Sequence, residues 1–234
     1  MSKASQQQTP YADNPPANLA VSVILIRDSA GGLEAFVQHR ASTMDFAAGA
    51  VAFPGGRVDS IDSSGWYFDH EILADHAAAW AASKISEPPS LSLLNVGRLM
   101  AAARREVEEE CGISLDQSAL KPWANWITPE GLPKRFDTYF YVSAVTAGVE
   151  PIHQTTEASA SLWIPVVELL EKQEAGLLKV LPPTLSVLDE LDELGTVARV
   201  LELKRSIVPV RLRSDGIEEF YALRRQRRLM SGHM

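Results

Sequence analysis

The chain has one cysteine, Cys111, among its 234 residues. A single cysteine cannot form an intrachain disulfide, and it cannot supply the several thiolates of a Cys-based zinc site. Proteins without disulfides are typical of reducing compartments. The cysteine content therefore predicts a cytoplasmic setting.

Long hydrophobic runs are scarce as well. Residues 1–18 are polar and contain several prolines and glutamines, and we expect them to form a flexible leader without a signal-like apolar segment. The longest early apolar run, residues 21–26, has the length of a strand and is too short to cross a bilayer. The sequence therefore predicts no membrane partner.

Positive charge is in deficit. Lys and Arg total 22 against 30 Asp and Glu, so the formal net charge is -8 and the pI is about 5.2. An acidic chain is a poor general binder of nucleic acids and anionic membranes, and we expect no nucleic-acid partner. We interpret the basic run RRQRR, residues 224–228, as the solvated end of a helix.

The patterning predicts one mixed α/β domain over residues 19–234, with a helix packed on a mixed or antiparallel sheet. Two β-rich runs flank the turn signal DSAGG and predict a hairpin. A helical pattern covers residues 91–111, and Gly112 is placed to end it. A mainly helical insertion at about 60–90 interrupts the β texture, and a C-terminal helical extension begins at about 182 with an interruption at Gly195.

The stretch RREVEEECG, residues 104–112, concentrates charge at the end of the predicted helix. Glu106, Glu109 and Glu110 are spaced i, i+3 and i+4, so they share one helix face. Arg105 can neutralise and orient one of these carboxylates. Three converging carboxylates suit Mg²⁺ or Mn²⁺, which prefer oxygen ligands. The helix alone fits a solvated acidic surface equally well.

The glycine-rich loop FPGGRVD, which follows a short predicted strand, favours the metal site. Gly55 and Gly56 let backbone groups approach a cation or a pyrophosphate closely. Loop and helix together resemble the Nudix hydrolase family, whose box reads G-x5-E-x7-R-E-U-x-E-E-x-G-U, with U a bulky aliphatic residue. The second half of the box is matched by Arg105, Glu106, Val107, Glu109, Glu110, Gly112 and Ile113. The resemblance implies an α/β/α sandwich in which the box helix packs on a mixed sheet.

The first half of the box departs from the family pattern. Gly56 and Arg105 are separated by a long insertion. Counted back from Arg105, the box position for its first Glu holds Gly97. The insertion falls between a strand and a helix, where added length is tolerated. We expect it to form a packing appendage or, as the second choice, a lid.

A second motif resembles the coenzyme A diphosphatase branch of the family. That branch carries L-L-T-x-R-S-x-x-L-R-x-x-x-G-x-V-x-F-P-G-G ahead of the box, and this chain has FVQHRASTMDFAAGAVAFPGG at the same spacing. The matches are Arg40, Gly49, Val51, Phe53, Pro54, Gly55 and Gly56. Asp45 replaces the second Arg and Ala41 replaces the Ser, so the chain lacks one basic group of the motif.

Several further residues are candidates. Glu157 precedes a Trp-containing strand, where the resemblance implies an extra acid that binds metal or acts as the base. Arg40 and Arg135 are candidates for substrate phosphate, although Arg135 could equally form a structural pair. Trp123 and Trp126 are read as core residues, and His70 and His76 as surface residues.

The resemblance implies a Mg²⁺- or Mn²⁺-dependent diphosphatase acting on a small nucleotide conjugate, with coenzyme A or acyl-coenzyme A as the first choice. Glu106, Glu109, Glu110, the Gly55 carbonyl and Glu157 would hold the cation; Glu106 or Glu157 would be the base. Gly55, Gly56, Arg40 and Arg135 would contact the substrate. The alternatives are an ADP-ribose or dinucleotide diphosphatase, or a Nudix-fold binding module without turnover. A homodimer is left open.

Overall fold

We describe the protein from a computed structural model. It describes residues 15–41, 47–146, 149–152, 154 and 158–231. Eight strands form one sheet: β1 (Asn18–Ser29), β2 (Gly32–Arg40), β3 (Ala50–Ala52), β4 (Lys121–Ile127), β5 (Phe136–Ala144), β6 (Ala158–Pro165), β7 (Lys179–Val180) and β8 (Val210–Arg211). The helices are α1 (His70–Ala79), α2 (Ser92–Cys111), α3 (Val166–Glu174), α4 (Pro182–Leu194), α5 (Val197–Glu202) and α6 (Ile217–Ser231). Most of the expected leader, residues 1–14, lies outside the described residues.

The sheet is mixed, as predicted. Its order is β7-β3-β2-β1-β5-β4-β8, and β6 also pairs with β2. The β1–β5, β3–β7 and β4–β8 pairs are parallel, and the other pairs are antiparallel. The hairpin predicted around DSAGG is confirmed, because β1 turns into β2 with Ser29 opposite Gly32.

Central strand β1 separates two hydrophobic cores. Side chains along a strand alternate between its two faces. Val21, Val23 and Leu25 therefore lie in the core beneath α2. Ile24 and Ile26 lie in the core beneath α3 and α4. The result is a sheet with helices on both faces, which confirms the predicted α/β/α architecture.

Helix α2 carries the charged stretch and ends where the sequence predicted. Gly112 follows it with φ 67°, in the left-handed conformation, and its N–H bonds to the carbonyl of Glu108. Glycine adopts this conformation without the steric cost that a Cβ imposes. Val107 is fully buried and anchors the charged end of the helix to the core. The interruption predicted at Gly195 is also confirmed, since this residue separates α4 from α5 with φ 70°.

The segment between Gly56 and α2 packs into the first core. It contains α1 and three short 3₁₀ helices, at residues 60–63, 84–86 and 89–91. Trp80, just after α1, is fully buried and meets Tyr139 and Tyr141 edge-on, with ring centroids 5.1 and 5.7 Å apart. Such aromatic contacts add to the apolar area that is buried. The segment is thus part of the core beneath α2.

Two of the predictions that placed residues at the surface are wrong. His76 is only 5 % exposed, because α1 turns it inward against Tyr141 and its Nε2 lies 3.1 Å from the Leu120 carbonyl oxygen. In the C-terminal basic run, Arg224 is 7 % exposed and forms two bonds of 2.6 and 2.7 Å with Asp189. Arg228 also pairs with acids of α3 and α4. Ion pairs with preceding helices therefore hold α6.

The buried histidine predicts sensitivity to acid. Burial lowers the pKa of His76 from 6.5 to about 4, so its stabilising contribution is complete above pH 6.5 and is lost as the pH falls toward 4. Between pH 7 and 4.5 this loss amounts to about 2.5 kcal/mol. In His76→Gln the amide can still donate to the Leu120 carbonyl. We expect the free energy of unfolding of this variant to fall by about 2.5 kcal/mol less than that of the wild type between pH 7 and 4.5. Urea unfolding at the two pH values measures this difference.

The matched control is His70→Gln, because His70 is exposed at the start of the same helix. This variant should keep the pH dependence of the wild type. An identical pH dependence of His76→Gln and the wild type would contradict the assignment of acid sensitivity to His76.

Candidate active site

Arg105 is the centre of a charge cluster at the end of α2. Its Nε and Nη2 donate to the two carboxylate oxygens of Asp62 at 2.8 and 3.0 Å. Its Nη1 donates to Glu106 at 2.8 Å and to Glu109 at 3.0 Å, and Nη2 also reaches the carbonyl of Arg57 at 3.1 Å. The guanidinium fork therefore joins the glycine-rich loop, the short 3₁₀ helix at residues 60–63 and the box helix.

Asp62 is a site residue that the sequence prediction missed. Its side chain is fully buried, and its Oδ2 also accepts the N–H of Asp59 at 2.7 Å. Five residues separate Gly56 from Asp62, which is the spacing of the first acid in the box. The prediction counted back from Arg105 across the insertion and so arrived at Gly97. The acid lies before the insertion, and counting forward from Gly56 would have found it.

Gly97 belongs to the packing between α2 and the inserted segment. A Cβ at this position would lie 3.7 Å from Leu73 and 3.9 Å from Phe68. The interpretation of Gly97 as the site of a missing acid is therefore corrected.

The glycine-rich loop lies directly against the carboxylates. Gly55 has φ 149°, and a Cβ there would collide with the backbone of Val21 in the neighbouring strand. Its N–H donates to Glu110 Oε2 at 3.0 Å. A Cβ on Gly56 would collide with the carboxylate of Glu106. Both glycines are thus required by the close approach of the loop to β1 and to α2.

The three box carboxylates differ in environment. The side chain of Glu109 is 59 % exposed, that of Glu106 is 12 % exposed, and Glu110 is buried. Burial raises the pKa of Glu106; Arg105 opposes this effect, and the charges of Glu109 and Asp62 add to it. Hydrogen bonds to Asp62 raise the pKa of Arg105, which stays protonated. The cluster is therefore crowded with negative charge around one permanent cation.

The donor set fits a hard divalent cation, although it is not assembled as a closed cage. Among the described residues, no group of three or more His, Cys, Asp or Glu side chains is close enough to hold a metal ion. Arg105 engages Glu109 and Glu106, and the Gly55 amide engages Glu110. The carboxylate oxygens of Glu106 and Glu110 face the loop, and Mg²⁺ and Mn²⁺ prefer oxygen ligands.

Three further residues were predicted for the site, namely Glu157, Arg40 and Arg135. Glu157 is outside the described residues. Gln154, three positions earlier, donates its backbone N–H to the Glu110 carbonyl at 3.2 Å. Arg40 ends β2, and its carbonyl accepts the N–H of Gly49 at 3.2 Å. Arg135 is 6 % exposed and donates to the carbonyls of Thr128 and Pro15. The structure therefore favours the structural alternative for Arg135 over the phosphate contact.

The aromatic residues near the sheet also have structural surroundings. Trp123 and Trp126 are 2 % and 8 % exposed, which confirms that they are core residues. Glu108, on the same helix as the carboxylates, is exposed. Cys111 is buried, and burial raises its pKa to about 12, so it is a packing residue.

Comparison with known proteins agrees with this geometry. The family model of the NUDIX domain matches residues 96–183, which include most of α2 and its carboxylates. Over this region the chain is similar to Nudix domains. The crystal structure of a NUDIX hydrolase from Alicyclobacillus acidocaldarius superposes with a TM-score of 0.64 at 24 % identity, over 81 % of this chain and 97 % of that one, and thus shares its fold.

A curated relative is similar over a shorter region. The acyl-coenzyme A diphosphatase NUDT19 of Xenopus laevis is 32 % identical over 94 residues, which make up 38 % of this chain and 24 % of that protein. The match thus spans about a quarter of the length of the relative. In the part of the chain that the structure describes, no helix combines the length and the apolar character that crossing a membrane requires.

The Asp62–Arg105 pair should be a major contributor to stability. Removing one partner of a buried pair leaves an uncompensated charge and costs about 3 kcal/mol. We expect Asp62→Asn to lower the free energy of unfolding in urea by about that amount. Glu108→Gln, a neutralised acid on the exposed surface of α2, is the control. Equal stabilities of the two variants would show that Asp62 does not fix Arg105.

Proposed function

We propose that the chain is a divalent-cation-dependent diphosphatase of the Nudix type. It hydrolyses the diphosphate bond of a nucleoside diphosphate linked to another moiety, with coenzyme A or acyl-coenzyme A as the first-choice substrate. The observation that carries this proposal is the contact between the glycine-rich loop and the box helix. There, Gly55 donates to Glu110, Gly56 leaves space for Glu106, and Arg105 holds Glu106 and Glu109.

Each residue of the cluster has a separate role in this proposal. Glu106, Glu109, Glu110 and the Gly55 carbonyl would hold the cation, with Glu157 as a further ligand. When bound, the cation neutralises phosphoryl oxygens and lowers the pKa of a coordinated water. Arg105 orients the carboxylates, and Asp62 orients Arg105. Mn²⁺ and Mg²⁺ both suit these oxygen donors.

The reaction is a displacement at phosphorus by water. The water oxygen forms a new bond to phosphorus, the bond to the bridging oxygen breaks, and the leaving phosphate takes the electron pair. The proton of the water passes to a carboxylate, for which Glu106 and Glu157 are the two candidates. Coenzyme A would give 3′,5′-ADP and 4′-phosphopantetheine.

Two observations support coenzyme A as the substrate. The matched region of the Xenopus laevis relative belongs to a protein named an acyl-coenzyme A diphosphatase. The described parts of the coenzyme A branch motif also lie together, since the carbonyl of Arg40 accepts the N–H of Gly49 and β2 pairs with β3. Arg40 remains the candidate for a phosphate contact. Asp45, where the branch has a second Arg, lies outside the described residues.

The main argument for a binding module without turnover no longer holds. That alternative depended on an absent acid at Gly97, and Asp62 occupies the corresponding position in contact with Arg105. ADP-ribose and dinucleotides remain alternative substrates, and a substrate panel distinguishes them.

Neutralising the box carboxylates should abolish hydrolysis. We expect Glu106→Gln, Glu109→Gln and Glu110→Gln each to lower kcat/KM for the preferred substrate by about a hundredfold or more. The measurement is mass-resolved product formation from coenzyme A, octanoyl-coenzyme A, ADP-ribose and dinucleotides with Mg²⁺ or Mn²⁺.

Glu108→Gln is the matched control and should retain wild-type activity, because Glu108 points to solvent. Unchanged hydrolysis by Glu109→Gln and Glu110→Gln would overturn the proposed site. Wild-type hydrolysis of ADP-ribose but not of coenzyme A derivatives would replace the proposed substrate.

A further inference from the structure

A cavity of about 300 Å³ lies between the inserted segment and α2. Pockets that bind small molecules begin at roughly this size. Its aliphatic wall is formed by Leu73, Leu93 and Leu94, and Trp66, Tyr67 and Phe68 close it on the side of the insertion. The cavity is therefore a feature that the insertion within the box creates.

The cavity adjoins the charge cluster. Asp62 lines it and bonds to Arg105. On α2, Leu94, Arg98, Arg105 and Glu109 share one helix face, because they are spaced by four, seven and four residues. Arg98 and Arg105 are about 10 Å apart along the helix axis. A molecule that reaches from the carboxylates along this face would enter the cavity.

The rim of the cavity exposes large apolar side chains. Tyr67 is 91 % exposed and Leu94 is 57 % exposed. Trp66 stacks parallel to Phe68, and the guanidinium of Arg104 lies 5.0 Å from the ring centroid of Trp66. Clustered exposed apolar groups beside a polar site are typical of a ligand-binding groove. The aliphatic wall suits a hydrocarbon chain.

Arg98 supplies a polar group in this apolar setting. It lines the cavity, and its guanidinium offers five N–H donors. The carbonyl oxygen of a thioester or an amide would accept a hydrogen bond from such a donor.

We propose that this cavity binds the acyl end of the substrate, with Arg98 donating to a carbonyl oxygen of the arm that leads to it. The inference rests on the proposed function, because it assumes that an acyl-coenzyme A is hydrolysed at the neighbouring carboxylates. It assigns a specificity role to the insertion. The phosphates lie at the glycine-rich loop, and the hydrocarbon chain lies between α2 and residues 66–73.

Leu94→Asp tests the cavity because it places a charge in the aliphatic wall at a position that is already half exposed. We expect its KM for octanoyl-coenzyme A to rise about tenfold, with kcat and the KM for free coenzyme A nearly unchanged. Leu177→Asp is the matched control, since Leu177 is 73 % exposed in the turn after α3. It should leave all of these parameters at wild-type values.

A binding measurement separates the cavity from the reaction. S-octanoyl-pantetheine has the acyl arm but no diphosphate, so it cannot be hydrolysed at this bond. Calorimetry should show that it binds the wild type and Leu177→Asp, and that Leu94→Asp and Arg98→Met bind it about tenfold more weakly.

The two proposals fail in different ways. Binding of S-octanoyl-pantetheine that is sensitive to Leu94→Asp, without hydrolysis of any coenzyme A derivative, would support the cavity and overturn the proposed function. Hydrolysis of octanoyl-coenzyme A with equal KM for the wild type and Leu94→Asp would keep the function and overturn the cavity. A KM that rises equally for free and octanoyl-coenzyme A would also overturn the assignment of the acyl end.

Discussion

The site depends on a single guanidinium, that of Arg105. Asp62 holds it at two points, and it in turn holds Glu106 and Glu109. Without this cation, the carboxylates of Asp62, Glu106 and Glu109 would repel each other, and the repulsion would be strongest for the two that are buried or nearly so. The Asp62–Arg105 pair also attaches the short 3₁₀ helix at residues 60–63 to the box helix. Arg105 thus links the stability of the domain to the arrangement of its acids.

The sheet determines where this cluster forms. β1 supplies a flat backbone surface against which only glycine fits at position 55, and this contact brings the loop to the end of α2. The insertion leaves this arrangement intact, since it begins after Asp62 and returns through Trp80 to the core beneath α2. The residues inserted at this strand–helix connection therefore form one wall of the cavity, and the contacts between the glycine-rich loop and the box helix are retained.

Local signals in the sequence were sufficient for the elements. Gly112 ends α2, Gly195 separates two helices and DSAGG forms a hairpin, because each depends on a few adjacent residues. The burial of His76 and Arg224 could not be read from the sequence, since Leu120 and Asp189, which satisfy them, are distant in the chain. Asp62 is an intermediate case. Its spacing from Gly56 matches the first acid of the box, but the insertion lengthens its separation in sequence from Arg105.

The central claim is that the carboxylates around Arg105 bind a divalent cation, and Mn²⁺ is the most direct probe of it. Electron paramagnetic resonance measures free Mn²⁺ during titration of the full chain. The account predicts that the wild type and Glu108→Gln bind Mn²⁺, and that Glu106→Gln and Glu110→Gln bind it at least about tenfold more weakly. Equal Mn²⁺ binding by all four proteins, or none by the wild type, would contradict it.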